Sequence, residues 1–225
     1  MSTFSNPQVV ARYVEGPVRQ VPGFQALQQM TALLLAETVP SDGRVLVLGA
    51  GGGLELKVFA EAQPQWRFVG VDPSAEMLVL AQTVLGPLAS RVELQEGYID
   101  TASPGPFDGA TCLLTLHFLT ADERLHTLRE LRRRLKPGGT LVVAHHSFPQ
   151  TADAKHRWLQ RYAAFATASG IPAAKAAGAI TAIAEKLPLL APEDDTALLD
   201  AAGFVDVELF YAGFTFRGWV ARNPS

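Results

Sequence analysis

Runs of apolar residues along the chain predict where strands begin and end. Five strands are predicted from them, at residues 45–48, 68–71, 91–95, 107–116 and 140–144. Two of these runs, 45–48 and 68–71, contain no polar residue, as expected of strands that are buried on both faces. Two more runs near the end of the chain, 205–211 and 214–221, lie on either side of Gly213 and predict an antiparallel hairpin.

Between the strands, apolar residues recur at the spacing of a helix. Residues 23–38 are the clearest case, because four apolar side chains repeat there every three or four positions. Residues 13–23, which contain Pro17 and Pro22, are predicted to be a loop. The other predicted helices are residues 54–62, 74–85 and 125–135, two segments within 151–187 on either side of Gly170-Ile171-Pro172, and residues 198–202. This alternation predicts an α/β fold with a mostly parallel sheet and helices on both faces.

A glycine-rich turn between the first two strands is the first feature that indicates a ligand. Gly49, Gly51 and Gly53 follow the first strand and open a helix, and Asp72 ends the second strand about 20 residues later. Glycines let backbone approach a ligand, the helix start offers free N–H groups, and a carboxylate can accept hydrogen bonds from two ribose hydroxyls. A plain packing turn could also use these glycines, but their placement between buried strands favours a nucleoside-containing cofactor.

The composition is typical of a folded domain, with 48% apolar and 18% charged residues. The net charge of −3 gives no reason to expect nucleic acid as a partner, and the basic cluster at residues 129–136 falls at a helix end, where cations complement the helix dipole. We find no signal peptide and no apolar run of about 18 residues, so we predict no membrane partner. Cys112 is the only cysteine, which excludes an internal disulfide and favours a cytoplasmic location.

The order of these segments resembles the class I S-adenosylmethionine-dependent methyltransferases, from about residue 43 to residue 222. The resemblance lies in VLVLGAGGG, VGVDPSAEML, EGYID, FDGATCLLTLHFL, LRRRLKPGGTLVVAHH and the two closing strands. The segments RQVPGFQALQQM and GFTFRGWVAR look most like the carboxy-S-adenosylmethionine synthase branch and its unassigned relatives. The resemblance implies a Rossmann-like fold with a seven-stranded sheet, S-adenosyl-L-methionine as cofactor, and in-line transfer of its methyl group to a small-molecule acceptor.

The resemblance also implies roles for individual residues. Asp72 would hold the ribose hydroxyls, and Arg19 with Phe24 would close over the methionine end of the cofactor. The other implied contacts are Gly49, Ala50 and Gly51 at the methionine part, Leu114 and Thr115 beside the sulfonium, Pro73 and Met77 along the adenosine pocket, and Tyr98 and Ile99 at adenine.

Three positions depart from the family's pattern. Val47 stands where the first strand usually carries an acid, and Tyr98 replaces the usual acid after Gly97, with Asp100 as a substitute two residues on. A hydrogen bond to a charged group is worth on the order of 1–3 kcal/mol, so these changes predict weaker cofactor affinity or compensation by other groups. Ile180 aligns with an arginine that pairs with the extra carboxylate in the carboxy-S-adenosylmethionine synthases, which favours plain S-adenosylmethionine here.

Three histidines near strand ends are the candidates for a general base. His145 and His146 end the fifth predicted strand, and His117 follows the fourth. A histidine with its reference pKa near 6.5 takes up a proton around neutral pH, although methyl transfer needs a base only when the acceptor must lose a proton. A structural role is the alternative for each of them. Adjacent strand residues point to opposite faces, so we predict no metal site, and His126 and His156 are expected at the surface.

We therefore predict a single methyltransferase domain over residues 1–225, with an N-terminal helical lid at 1–42 and an inserted helical cap at 150–188. Apolar side chains of the cap would either pack in the core or line an acceptor site. Three alternatives stay open: a non-catalytic S-adenosylmethionine-binding protein, a carboxy-S-adenosylmethionine-type synthase, and an NAD-dependent oxidoreductase that uses the same turn. The acceptor is not identified by the sequence, and a homodimer is one candidate assembly.

Overall fold

A single seven-stranded sheet runs through the computed structural model, which describes residues 15–225. Its strands are β1 (Arg44–Leu48), β2 (Arg67–Asp72), β3 (Val92–Glu96), β4 (Phe107–Leu113), β5 (Leu135–His146), β6 (Val205–Gly213) and β7 (Phe216–Arg222). They lie in the order β3-β2-β1-β4-β5-β7-β6. The first five strands are parallel, and β7 is antiparallel to both β5 and β6. The predicted mostly parallel sheet with an antiparallel hairpin is confirmed.

Eight α-helices of the described residues accompany this sheet. They are α1 (Gly16–Gln20), α2 (Phe24–Ala36), α3 (Leu54–Ala62), α4 (Ala75–Leu85), α5 (Ala121–Arg134), α6 (Ala152–Ala168), α7 (Ala173–Lys186) and α8 (Pro192–Ala201). Local side chains fix two of the starts. The Ser74 hydroxyl accepts a hydrogen bond at the start of α4, and Thr120 and Glu123 form a capping box at the start of α5. None of the helices in the described part of the chain combines the length and apolar character needed to cross a membrane.

The core has two halves, one on each face of the sheet. Alternate side chains of β1 enter different halves, Val45 and Val47 on one face and Leu46 and Leu48 on the other, because successive residues of a strand point in opposite directions. Side chains of α2, α3, α6 and α7 pack on the first face, and those of α5 and α8 on the second. The prediction of helices on both faces is therefore confirmed.

The boundaries of several elements differ from the predicted ones. Residues 16–20, predicted as loop, form the short helix α1, in which a proline occupies the first turn, where its missing N–H costs nothing. Strand β5 begins at Leu135, within the predicted helix and before the predicted strand start at residue 140, and its pairing with β4 shifts register nearby. Helix α8 begins at Pro192 rather than residue 198, because three acidic residues in its first turn complement the helix dipole.

The predicted helical insertion forms two helices, α6 and α7, that pack on each other and on the sheet. The break between them falls at Gly170, whose backbone has a φ of +92°. Tyr162 of α6 and Ile183 of α7 are buried in the same half of the core as β1. The first 14 residues of the predicted lid lie outside the described residues.

Candidate active site

A cleft of about 980 Å³ opens at the carboxyl ends of β1, β2 and β4. Small-molecule sites typically enclose about 300–1,000 Å³, so this cleft is at the large end of that range. The predicted cofactor residues that line it are Gly49, Ala50, Gly51, Asp72, Pro73, Met77, Tyr98, Ile99, Leu114 and Thr115. They come from four separate stretches of the chain. The sheet brings them together because the carboxyl ends of parallel strands meet at one edge.

The glycine turn is tied to the neighbouring strand and packed tightly on its other side. The backbone N–H groups of Gly49 and Ala50 donate to the Val71 carbonyl, at 2.8 and 3.0 Å. Gly49 has a φ of +77°, and a Cβ built on it would lie 2.0 Å from the Thr115 Oγ1. The turn therefore requires glycine both for its left-handed backbone and for its contact with the loop after β4.

Asp72 holds this turn in place. Its Oδ2 accepts a hydrogen bond from the Gly51 N–H and its Oδ1 accepts one from the Ser74 N–H, both at 2.9 Å. Burial raises the pKa of the carboxyl above its usual value, and the two backbone hydrogen bonds oppose that rise. A carboxylate has about four lone-pair sites, so two remain for hydroxyl groups of a ligand.

At the adenine end predicted from the sequence, both buried and exposed side chains form the wall of the cleft. Met77 and Ile99 are buried, whereas the Tyr98 side chain is 66% exposed at the rim. Asp100 lies beside Ile99 and lines the cleft, and its Oδ1 is 2.7 Å from the Nε2 of His126 on α5. His126 is exposed, as predicted, but it also lines the cleft, which its helical pattern did not indicate.

Leu114 and Thr115 turn the chain sharply at the end of β4. Leu114 is a non-glycine residue with a φ of +57°, and its N–H donates to the Ala144 carbonyl. The Thr115 hydroxyl donates to the Leu113 carbonyl at 3.0 Å. A left-handed backbone at a leucine costs on the order of 1–2 kcal/mol, and such conformations cluster at functional sites. The turn explains why β4 ends at Leu113 and not at residue 116.

Arg19 is the predicted cofactor residue that does not line the cleft. Its guanidinium on α1 is about half exposed and pairs with the Glu15 carboxylate at 3.2 Å. Phe24, the other residue predicted to close over the methionine end, does line the cleft, together with Gln28. The lid role of Arg19 stays a prediction.

The three predicted base candidates are buried and do not line the cleft. His146 stacks on Phe216, and its Nδ1 is 2.9 Å from the Thr215 Oγ1. His117 Nδ1 accepts a hydrogen bond from the His146 backbone N–H at 3.4 Å. Burial lowers the pKa of His146 to about 3 and holds the pKa of His117 well below its ordinary value. Both rings are therefore neutral at pH 7, and the base assignment stays a prediction.

His145 faces the opposite side of β5, as the alternation of strand side chains predicts. Its Nε2 lies 3.1 Å from the Asp195 Oδ1, and that carboxylate also accepts a hydrogen bond from the Arg124 guanidinium. The Arg124 and Asp195 side chains are 1% and 3% exposed. The stability of a buried ion pair of this kind depends on both charged partners, since the removal of one leaves the other charge uncompensated.

The histidine variants separate a chemical role from a structural one. From the burial of both rings we expect His145→Ala and His146→Ala each to lower the free energy of unfolding by about 2–4 kcal/mol. We expect the kcat of the folded fraction to change less than tenfold. Urea unfolding and steady-state kinetics on the same preparations check this. A kcat lower by more than a hundredfold with an unchanged unfolding curve would instead establish a base.

The charges along the cleft have one sign. Among the described residues that line it, the side chains with a formal charge are all acidic, and neither lysine nor arginine occurs. These acids are Asp72, Asp100, Asp122 and Glu123, together with Glu55, whose raised pKa keeps it largely protonated near neutral pH. An acidic cleft favours a cationic ligand and disfavours one with several phosphate groups.

Glu55 is a site residue that the sequence pattern did not reveal. It is the second residue of α3, is 8% exposed and lines the cleft. Its Oε1 accepts a hydrogen bond from the Thr111 hydroxyl at 3.1 Å. Burial, and then the charge of Asp72, raise the pKa of Glu55 to about 8. The absent acid at Val47 is the one signal in the sequence that could have prompted a search for such a residue.

Comparison with known proteins indicates the class of protein to which these features belong. Residues 46–141 match a methyltransferase domain family. Carboxy-S-adenosyl-L-methionine synthase of Wolinella succinogenes is 26% identical over 210 residues, covering 91% of this chain and 87% of that protein. Trans-aconitate 2-methyltransferase of Azoarcus sp. is 33% identical over 161 residues, covering 71% and 60%.

Solved structures share the fold. A putative O-methyltransferase from Nostoc punctiforme has a TM-score of 0.69 and 20% identity, covering 96% of this chain and 59% of that chain. The protein thus spans little more than half of that larger solved chain. It is a class I S-adenosylmethionine-dependent methyltransferase, as its sequence predicts. Within that class it is related to the carboxy-S-adenosylmethionine synthase branch, and its cofactor is S-adenosyl-L-methionine.

Proposed function

We propose that the protein transfers the methyl group of S-adenosylmethionine to a small, partly apolar acceptor bound in the same cleft. The acidic lining of a large cleft, without lysine or arginine among its described residues, carries this proposal. When bound, the cofactor supplies a methyl group on a positively charged sulfur. The volume of about 980 Å³ leaves room beside the cofactor for an acceptor of limited size.

In this proposal, the residues of the chain bind and orient the cofactor and the acceptor, and they do not themselves react. Asp72 would hold the ribose while it fixes the Gly51 backbone, and Met77 and Ile99 would cover the nucleoside with apolar surface. The Leu114 turn would form the wall beside the sulfonium. Alignment of an acceptor with an already activated methyl group, in a site that excludes water, accounts for most of the catalysis that such a reaction needs.

Helix α2 forms part of the wall of the cleft. Phe24 and Gln28 of this helix line the cleft, which supports the proposal that residues up to 42 serve as a lid within a single domain. None of the described lining residues comes from the segment 150–188. Its helices bury one face of the sheet, so its predicted part as a cap over the acceptor stays a prediction.

Methyl transfer from labelled S-adenosylmethionine tests the proposal directly. We expect label to move to at least one acceptor in a panel of small carboxylic acids, phenols and amines, with S-adenosylhomocysteine released in equal amount. A non-catalytic binder would hold the cofactor without release of S-adenosylhomocysteine for any acceptor. Tighter binding of NAD than of S-adenosylmethionine would contradict the proposal and favour the oxidoreductase alternative.

A carboxy-S-adenosylmethionine-type synthase is the second candidate, because several relatives carry that name. The cleft argues against it, since its described lining offers no cation for an added carboxylate. Ile180, which aligns with the pairing arginine of that branch, packs its apolar side chain against the core. We expect calorimetry to show at least tenfold weaker binding of carboxy-S-adenosylmethionine than of S-adenosylmethionine. The reverse order would favour the synthase.

We further propose a cytoplasmic location, which the buried free thiol of Cys112 supports because such thiols persist in reducing compartments.

The predicted homodimer has one supporting feature. Strand β6 is an edge of the sheet, with Val205 and Leu209 exposed along it. Light scattering at several protein concentrations tests this assembly.

A further inference from the structure

We propose that Glu55 binds the ammonium group of the cofactor's methionine part, in place of the acid that is absent at position 47. This inference rests on S-adenosylmethionine being the cofactor, and it adds a binding residue on α3 that the family's pattern does not assign. Three observations support it: the position of Glu55 relative to Val47, the lack of a cationic partner for it in residues 15–225, and the glycine turn next to it.

The first observation is that Glu55 reaches the place where an acid at position 47 would point. Val47 of β1 pairs in register with Thr111 of β4, so their side chains lie next to each other on one face of the sheet. Helix α3 packs on that face, and the Glu55 carboxyl is hydrogen-bonded to the Thr111 hydroxyl. The carboxyl therefore lies beside Val47, although it comes from a different element.

The second observation is that this buried acid has no cationic partner among the residues that the structure describes. Thr111 is the one hydrogen-bond partner found for the Glu55 carboxyl among residues 15–225, and no ion pair of the described chain includes it. Burial raises the pKa of this carboxyl, and the charge of Asp72, which is also acidic, raises it further. Ionising this buried carboxyl without a cation beside it is unfavourable, and this is why its pKa is raised in the free protein. An incoming cation would supply the missing partner.

The third observation identifies which cationic group of the cofactor fits. Glu55 lies four residues after Gly51, at the start of α3 and next to the turn predicted to face the methionine part. That part carries an ammonium group, which donates three hydrogen bonds, and a sulfonium, which donates none. A carboxylate whose lone pairs are free interacts best with a group that donates hydrogen bonds. The ammonium is therefore the expected partner.

Calorimetry with three ligands tests this assignment. S-adenosylmethionine has both the ammonium and the sulfonium, S-adenosylhomocysteine has only the ammonium, and 5′-methylthioadenosine has neither. For Glu55→Gln at pH 8 we expect at least tenfold weaker binding of the first two ligands and less than twofold change for the third. Glu61→Gln, an exposed position on the same helix, is the matched control and should change none of them.

The other possible outcomes of this calorimetry contradict the inference in different ways. Unchanged affinities in Glu55→Gln overturn the inference, and so does an equal loss for all three ligands, which indicates a damaged pocket. A loss confined to S-adenosylmethionine overturns the ammonium assignment in favour of the sulfonium. Failure of the unmodified protein to bind either of the first two ligands overturns the cofactor itself, so the two failures are distinguishable.

Moving the acid back to the strand provides a gain-of-function test. If Glu55 replaces an acid at position 47, the double variant Val47→Asp/Glu55→Ala should bind S-adenosylmethionine within about threefold of the unmodified protein, whereas Glu55→Ala alone should not. Circular dichroism monitors folding of each variant. A folded double variant as weak as Glu55→Ala would contradict the shared location, and Glu55→Gln keeps the inference testable if the double variant fails to fold.

The pH dependence of binding supplies an independent measurement. Binding of an ammonium requires ionised Glu55, whose pKa is about 8 in the free protein. Affinity should therefore fall as the pH drops below 8, by at most about tenfold per pH unit, with release of up to one proton on binding. Asp72 and Cys112 also interact with Glu55 through their charges, but both persist in Glu55→Gln. The difference between the two titrations isolates Glu55, and identical titrations would contradict the inference.

Discussion

Gly49→Ala should weaken S-adenosylmethionine binding by at least a hundredfold, the largest effect that we expect from a single added methyl group. The Cβ would lie 2.0 Å from the Thr115 Oγ1, so the turn or the loop after β4 must move. The backbone φ of +77° adds a cost of about 1–2 kcal/mol for any L side chain. Because both segments line the cleft, either movement displaces groups that we propose contact the cofactor. Calorimetric titration measures the effect.

Gly138→Ala is the matched control for this variant. Gly138 has a φ of +75°, nearly the same as Gly49, but an added Cβ there would meet nothing within 4 Å. We expect it to lower stability by a similar conformational cost without changing cofactor affinity. Equal affinities of Gly49→Ala and the unmodified protein would contradict a cofactor packed against this turn.

Asp72→Ala should weaken S-adenosylmethionine binding by about ten- to a hundredfold. The substitution removes the proposed acceptor for two ribose hydroxyls, and it frees the Gly51 and Ser74 N–H groups that the carboxylate holds at 2.9 Å. Each such hydrogen bond to a charged group is worth about 1–3 kcal/mol, and about 1.4 kcal/mol corresponds to a tenfold change in affinity.

A second variant distinguishes the two functions of this side chain. Asp72→Asn keeps the size and one acceptor, but its amide N–H would face one of the two backbone N–H donors. We expect its affinity to fall between those of Asp72→Ala and the unmodified protein. An unchanged dissociation constant in Asp72→Ala, measured on folded protein, would remove this residue from the site.

The fold was predictable where local pattern and burial coincide. Strands β1 and β2 are apolar on both faces, so their composition alone marks them, and the closing hairpin follows from two apolar runs around Gly213. Helix α1 was not predictable in the same way. It has five residues and its contacts are with α2 and α6, so distant packing rather than local propensity selects it.

The residues of the candidate site also differ in how far the sequence alone predicts them. The glycine turn and Asp72 belong to one continuous motif, and the sequence brings them together without help from distant residues. Glu55 and His126 lie on helices whose patterns indicate only a buried and an exposed position, and the sheet edge places both at the cleft. For His145 and His146 the alternation of β5 predicted opposite faces, but not that packed helices bury both faces.

The most direct test of the central claim is a crystal structure of the protein with S-adenosylhomocysteine. We predict density for the ligand in the cleft at the carboxyl ends of β1, β2 and β4, with both ribose hydroxyls within hydrogen-bonding distance of the Asp72 carboxylate. Clear density for the ligand at any other place, or an empty cleft at saturating ligand concentration, would contradict the claim.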